Sequence, residues 1–126
     1  MTGATLLLRQ INPSWVQAGR VTSQAFKPTP KDKMRLSVYD GDQVTAEDSW
    51  RHYTEQLKYS SVGVMAVTVG DCRSLNLPVE PDPEPFPEHV VIRFDDCSNS
   101  QIETKAKHLK KSAEERGWLY QAESRV

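Results

Sequence analysis

No apolar run in the chain approaches the ~18 to 20 residues that cross a bilayer, so the sequence contains no transmembrane helix. Its start, M-T-G-A-T-L-L-L-R, lacks the basic n-region and long h-region of a secretory leader, and Leu6 to Leu8 read instead as part of a first strand. Cysteine is scarce: Cys72 and Cys97 are the only two, neither in a CxxC nor beside a histidine at ligand spacing. That argues against structural zinc, and without an export signal the expectation is reduced thiols in a cytoplasm. An excess of charge of one sign is also missing. Sixteen Lys and Arg stand against seventeen Asp and Glu, a net charge of −1, so no global field directs the chain to nucleic acid or to a membrane surface. There is no P-loop, no GxGxxG and no G-x-S-x-G, which leaves nucleophilic catalysis and nucleotide binding without a local motif.

What remains is the composition of a soluble globular protein: 126 residues, 37% hydrophobic and 26% charged. That length suits a single domain, 1–126, with one core. The organising stretch is 61–69, S-V-G-V-M-A-V-T-V, which carries no charge and four valines. Short, β-branched and apolar on both faces, it reads as a strand at or near the centre of a sheet, covered on both sides. Residues 5–11 give another strand, interrupted by Arg9 and ended by Asn12-Pro13. Leu36 and Val38 alternate with Ser37 and Tyr39, and Val90, Ile92 and Phe94 share one face of a strand over 89–94.

Two helices have sequence signatures. Thr45 precedes Ala46-Glu47-Asp48 as an N-cap, and Trp50, Tyr53 and Leu57 follow at helical spacing, giving a helix over 46–58. Ser100-Gln101-Ile102-Glu103 fits a capping box, and Ile102, Ala106, Leu109 and Ala113 form a stripe over 101–116, with Gly117 as the stop. Asp71 reads as the cap of a short helical piece ending at Asn76. Residues 78–88 concentrate proline and acid, and read as an extended surface loop unable to donate regular ladder bonds. Trp118-Leu119-Tyr120 suggests a last short strand, and 122–126 a frayed end. The sum is an α+β domain: a mixed sheet of about five strands covered by two amphipathic helices.

Four groups of residues could carry function. His89 beside Glu88, where the proline loop meets a buried strand, has the chemistry of a general base, and Asp40 is the nearest further acid candidate. The turn Tyr39-Asp40-Gly41-Asp42 lacks the oxygen ligands of a calcium loop, so no metal is expected. Arg20, Lys31 and Arg35, with Lys27 and Lys33 near Thr22 and Ser23, suit a phosphate or other anion. The acidic strip with Glu80, Asp82, Glu84 and Phe86, set against a helix face with Lys107 and Lys110, suits a protein partner. Aromatics beside the lysine loop (Trp15, Phe26, Tyr39) are the only material for stacking on single-stranded nucleic acid, and they read better as core.

An early-strand arginine (Arg9), a later strand with Ser37 and Tyr39, and scattered acids together resemble ADP-ribosyltransferase-like folds, although no motif of that group stands at a diagnostic spacing. The leading expectation is a small cytoplasmic binding or accessory protein, without cofactor, that works through a protein partner. The alternative is a small enzyme or nucleotide- or phosphate-binding domain using His89, Arg20 and residues of 37–42, which would admit a small-molecule ligand.

Overall fold

A computed structural model describes residues 1–122. Six strands form one sheet in the order β6-β7-β4-β1-β5-β8, built from β6 (Val79–Pro81), β7 (His89–Arg93), β4 (Arg35–Asp40), β1 (Leu6–Gln10), β5 (Gly63–Thr68) and β8 (Tyr120–Gln121). A separate hairpin pairs β2 (Val16–Gln17) with β3 (Arg20–Val21). Its two-residue turn has positive φ at both Ala18 and Gly19, the twist that hairpins favour. The fold is α+β, and every ladder in it is antiparallel. A mixed sheet was the sequence expectation because strands and helices interleave through connections of mixed length, without obvious crossover helices between the early strands. The helix between β4 and β5 does carry the chain between two like-directed strands, but β1 lies between them and pairs antiparallel with both.

That helix, α1 (Ala46–Arg51), is capped by the Thr45 hydroxyl, which accepts from the Asp48 amide at 3.2 Å. It continues as a π-helical turn over His52–Gln56. The longest helix, α3 (Asn99–Arg116), buries Ile102, Ala106, Leu109 and Ala113 as the spacing predicts. Its capping box is Ser98 with Gln101 rather than Ser100 with Glu103, because the helix begins at Asn99, two residues earlier than the expected start at 101. Gly117 ends it with φ of 84°. The short α2 (Val69–Ser74) takes Val69 from the anticipated strand, since Thr68 and Asp71 close their own capping box. Asn76 follows in the left-handed region at φ 57°.

The helices lie on opposite faces. One core holds Leu7, Leu36, Val38, Met65, Val67, Val90, Ile92 and Phe94 beneath the α3 stripe. The other holds Leu8, Tyr39, Val64 and Ala66, with Trp50 and Tyr53 of α1 packed on it. β5 is therefore buried on both faces although only β8 lies outside it. Cys72 sits in the first core as a free thiol, pushed up to about 12 by burial, and Cys97 is also unbridged.

The proline segment needs a correction. Within it, Val79–Pro81 form strand β6, paired with β7 at positions such as Val79 with Ile92 and Pro81 with Val90. Pro81 is tolerated because an edge strand does not need a donor on its outer side. The hairpin closes where the Asp82 amide donates to the His89 carbonyl at 2.9 Å. Of the expected frayed end, Ala122 donates to the Val62 carbonyl at 2.9 Å, and 123–126 lie outside the described residues.

Candidate functional site

α1 lies over β1, β5 and β8. On that same face the β4–β7–β6 half is bordered by loops and by the single helical turn Pro30–Asp32, and only His52 of the π-helical turn reaches over to Tyr39 of β4. The open half holds a cavity of about 210 Å³, lined by Ser37, His89, Val91 and Asp82 together with Lys31, Asp32, Lys33 and Arg35.

Antiparallel register builds its centre. Tyr39 pairs with His89 and Ser37 with Val91, so Ser37 and His89 are diagonal neighbours on one face. The Ser37 Oγ is 3.1 Å from His89 Nε2. On the other side of the ring, His89 Nδ1 is 2.9 Å from the Asp82 carbonyl oxygen and 3.3 Å from Asp82 Oδ2. Both are acceptors, so in the neutral imidazole the proton belongs on Nδ1. Nε2 then presents a lone pair to the Ser37 hydroxyl. Ser37 is exposed, whereas His89 is buried with 7% relative exposure, so an accessible hydroxyl rests on a fixed imidazole.

The ring is held by aromatic packing. Phe86 lies 5.0 Å from His89, stacks on Tyr39 at 4.8 Å and approaches His52 at 4.7 Å. The Tyr39 hydroxyl, 2.7 Å from His52 Nδ1, is pushed up by burial. Behind Ser37, β1 and β4 pair only at Leu7–Asp40 and Leu8–Tyr39. Past that point the Arg9 guanidinium donates from Nη1 to the Ser37 carbonyl at 2.8 Å and from Nε to the Ala25 carbonyl at 2.8 Å. It also lies 4.9 Å over the Trp15 ring. Burial pulls Arg9 down to about 10, which leaves it a cation at neutral pH. On the loop bordering the cavity, Lys33 and Met34 are successive left-handed residues at φ 56° and 60°, a costly conformation for side chains of that size.

The sequence candidates divide between the two faces. His89, Lys31, Arg35 and Asp82 share the cavity. Glu88 passes its carbonyl to the Asp40 amide at 2.8 Å, while the Asp40 carboxylate is turned to the Asp42 amide and the Gln43 side chain. Among the described residues no cluster of three potential metal ligands forms. Arg20 pairs with Glu114 of α3 at 3.0 Å, beyond the opposite face of the sheet, and does not join His89. Lys107 and Lys110 stand on the Arg20 side. Glu80 pairs with Arg93 at 3.0 Å, Phe86 is half-buried in the aromatic cluster, and Glu84 remains exposed. Phe26 and Tyr39 are buried and Trp15 carries Arg9, so none of these three offers an open face to bases.

Sequence reasoning named Ser37 only as a strand residue of the ADP-ribosyltransferase-like resemblance and within the range 37–42, never as a nucleophile, and Asp82 only as a partner residue. Neither lies near His89 in a way a motif could mark, except that Asp82 and His89 bracket a proline loop. No family model, curated protein or solved structure matches this chain. Among the described residues no helix is long and apolar enough to cross a membrane.

Proposed function

We propose that the protein is a small hydrolase of esters carrying a negative charge, with Ser37 as nucleophile. One observation carries this reading: Ser37 Oγ lies 3.1 Å from the nitrogen of His89 that is left unprotonated by the Asp82 carbonyl. A nucleophile, its base and a group orienting the base within hydrogen-bond reach are the recurring parts of covalent acyl transfer. Ser37 Oγ attacks the ester carbon while its proton passes to His89 Nε2. The same proton then leaves with the alkoxide. Water repeats the sequence on the acyl-serine and releases the acid. The Asp82 carboxylate, 3.3 Å from Nδ1, stabilises the imidazolium formed in each half. Lys31, Lys33 and Arg35 outnumber Asp32 and Asp82 around the cavity, which suits an anionic substrate.

The test is covalent. A fluorophosphonate probe should add once to the intact protein, at Ser37 by peptide mapping, and Ser37→Ala should abolish the adduct. His89→Gln should slow labelling about 10²- to 10⁴-fold, the usual scale of general-base catalysis. An unlabelled wild-type protein would sink the proposal.

A second reading, an accessory protein docking a basic partner, rests on the exposed Pro83, Glu84 and Pro85 at the tip of the β6–β7 hairpin. It is separated from the first by Glu84→Lys, which would release a purified basic partner and leave probe labelling unchanged. A cytoplasmic setting accords with two unbridged thiols.

A further inference from the structure

A second cavity, of about 550 Å³, opens on the α3 side of the sheet and has no part in the Ser37 chemistry. Its walls are β3 with the residues just after it, and one face of α3. Lys107, Lys110, Lys111 and Glu114 fall at i, i+3, i+4 and i+7, which brings them to the same side of the helix. Arg20 faces them from β3, with Thr22 and Ser23 adding hydroxyls. The cavity thus collects four cations and one carboxylate from segments some ninety residues apart.

The single carboxylate acts as an internal brace. Glu114 accepts from Lys110 Nζ at 2.9 Å through one oxygen and from Arg20 Nη2 at 3.0 Å through the other. Lys110 first, then Arg20, hold its carboxyl below the usual carboxylate range. Two cations are therefore positioned across the opening. Lys107 and Lys111 are exposed and form no ion pair among the described residues. The Thr22 hydroxyl is committed to the Trp15 carbonyl at 2.8 Å, which leaves Ser23 as the other hydroxyl-bearing residue of the lining.

We propose that this cavity is a binding site for the diphosphate group of a phosphorylated small molecule. Two braced cations and two unpaired ones can neutralise adjacent phosphates; Arg20 spends its Nε and Nη2 on Glu114 and has Nη1 left to donate to a phosphate oxygen. The volume lies within the range of small-molecule sites. Each phosphate displaces no existing ion pair at Lys107 or Lys111, so binding retains most of the Coulomb gain at low salt.

The experiment is calorimetric titration of the full chain with pyrophosphate, ADP and orthophosphate at 50 and 200 mM salt. Pyrophosphate and ADP should bind with one-to-one stoichiometry, more tightly than orthophosphate and less tightly at the higher salt. Lys107→Ala with Lys111→Ala should weaken pyrophosphate binding at least tenfold, Lys107→Arg with Lys111→Arg should retain it, and Arg51→Ala, an exposed cation of α1 outside both cavities, should not alter it. These surface changes leave the α3 stripe intact, and circular dichroism checks the fold. Unchanged affinity in the double alanine variant, or equal affinity for orthophosphate and pyrophosphate, would overturn the assignment. Probe labelling at Ser37 is a separate readout, so failure here and failure there are distinguishable.

Discussion

His89 has one nitrogen committed before any substrate arrives, and the commitment comes from the backbone. The Asp82 carbonyl is the nearer acceptor at 2.9 Å, while the carboxylate stands at 3.3 Å. In the Ser-His-Asp triad of serine proteases the carboxylate itself fixes the tautomer, and its amide replacement costs about 10⁴ because the wrong nitrogen is protonated. Here the two roles are divided between the main chain and side chain of one residue. Asp82→Asn should therefore slow Ser37 labelling only about tenfold, the loss of imidazolium stabilisation, while ¹⁵N shifts of the neutral ring still report the Nδ1–H tautomer. A 10⁴-fold loss with a switched tautomer would show that the carboxylate holds the ring. This constellation was only half legible in the sequence. His89 stood out as an imidazole at a strand entrance. Its alignment with Ser37 follows from the β4–β7 register, and that register depends on which residues of two distant strands pair.

Elements with strong local chemistry were readable, and elements defined by their neighbours were not. Thr45 and the Ile102-Ala106-Leu109-Ala113 stripe announce their helices because capping and burial act within a few residues. β6 has three residues, too few for a period, and exists because β7 offers it an open edge. The last short strand expected at Trp118-Leu119-Tyr120 does form, at Tyr120–Gln121 on the open edge of β5. Gly63 gives one trace of this in the sequence: a strand glycine marks a close approach. A Cβ built there would meet the Tyr120 carbonyl oxygen at 2.5 Å and the Trp118 ring at 3.0 Å. The nearest obstacle is backbone, so the strand as a whole must shift. Gly63→Ala should destabilise the protein by about 1–3 kcal/mol in urea melts, the usual cost of overpacking, with early loss of amide protection at Tyr120. Full stability in that variant would mean that β8 does not press on β5.

At the scale of the whole molecule, the sheet separates two basic cavities with different equipment. The Ser37 side has a base, a hydroxyl and an aromatic brace. The α3 side has cations and no base. Their separation follows from strand alternation: Leu36 and Val38 point into the α3 core, so Ser37 and Tyr39 point away from it. The α+β class was legible from the interleaving of strand and helix signals, but strand order was not, because it is set by long-range pairing. Leu109, buried at the middle of the α3 stripe, tests what the two sides share. Leu109→Ala should cost about 2–5 kcal/mol, as cavity-forming core substitutions do. Below its unfolding transition the variant should still label at Ser37 at close to the wild-type rate, because sites far apart without common partners respond nearly independently. Pyrophosphate binding should weaken in the same sample, since α3 carries three of the four cations and loses its central anchor. Parallel loss of labelling and binding in the folded variant would instead mean that the sheet couples its two faces.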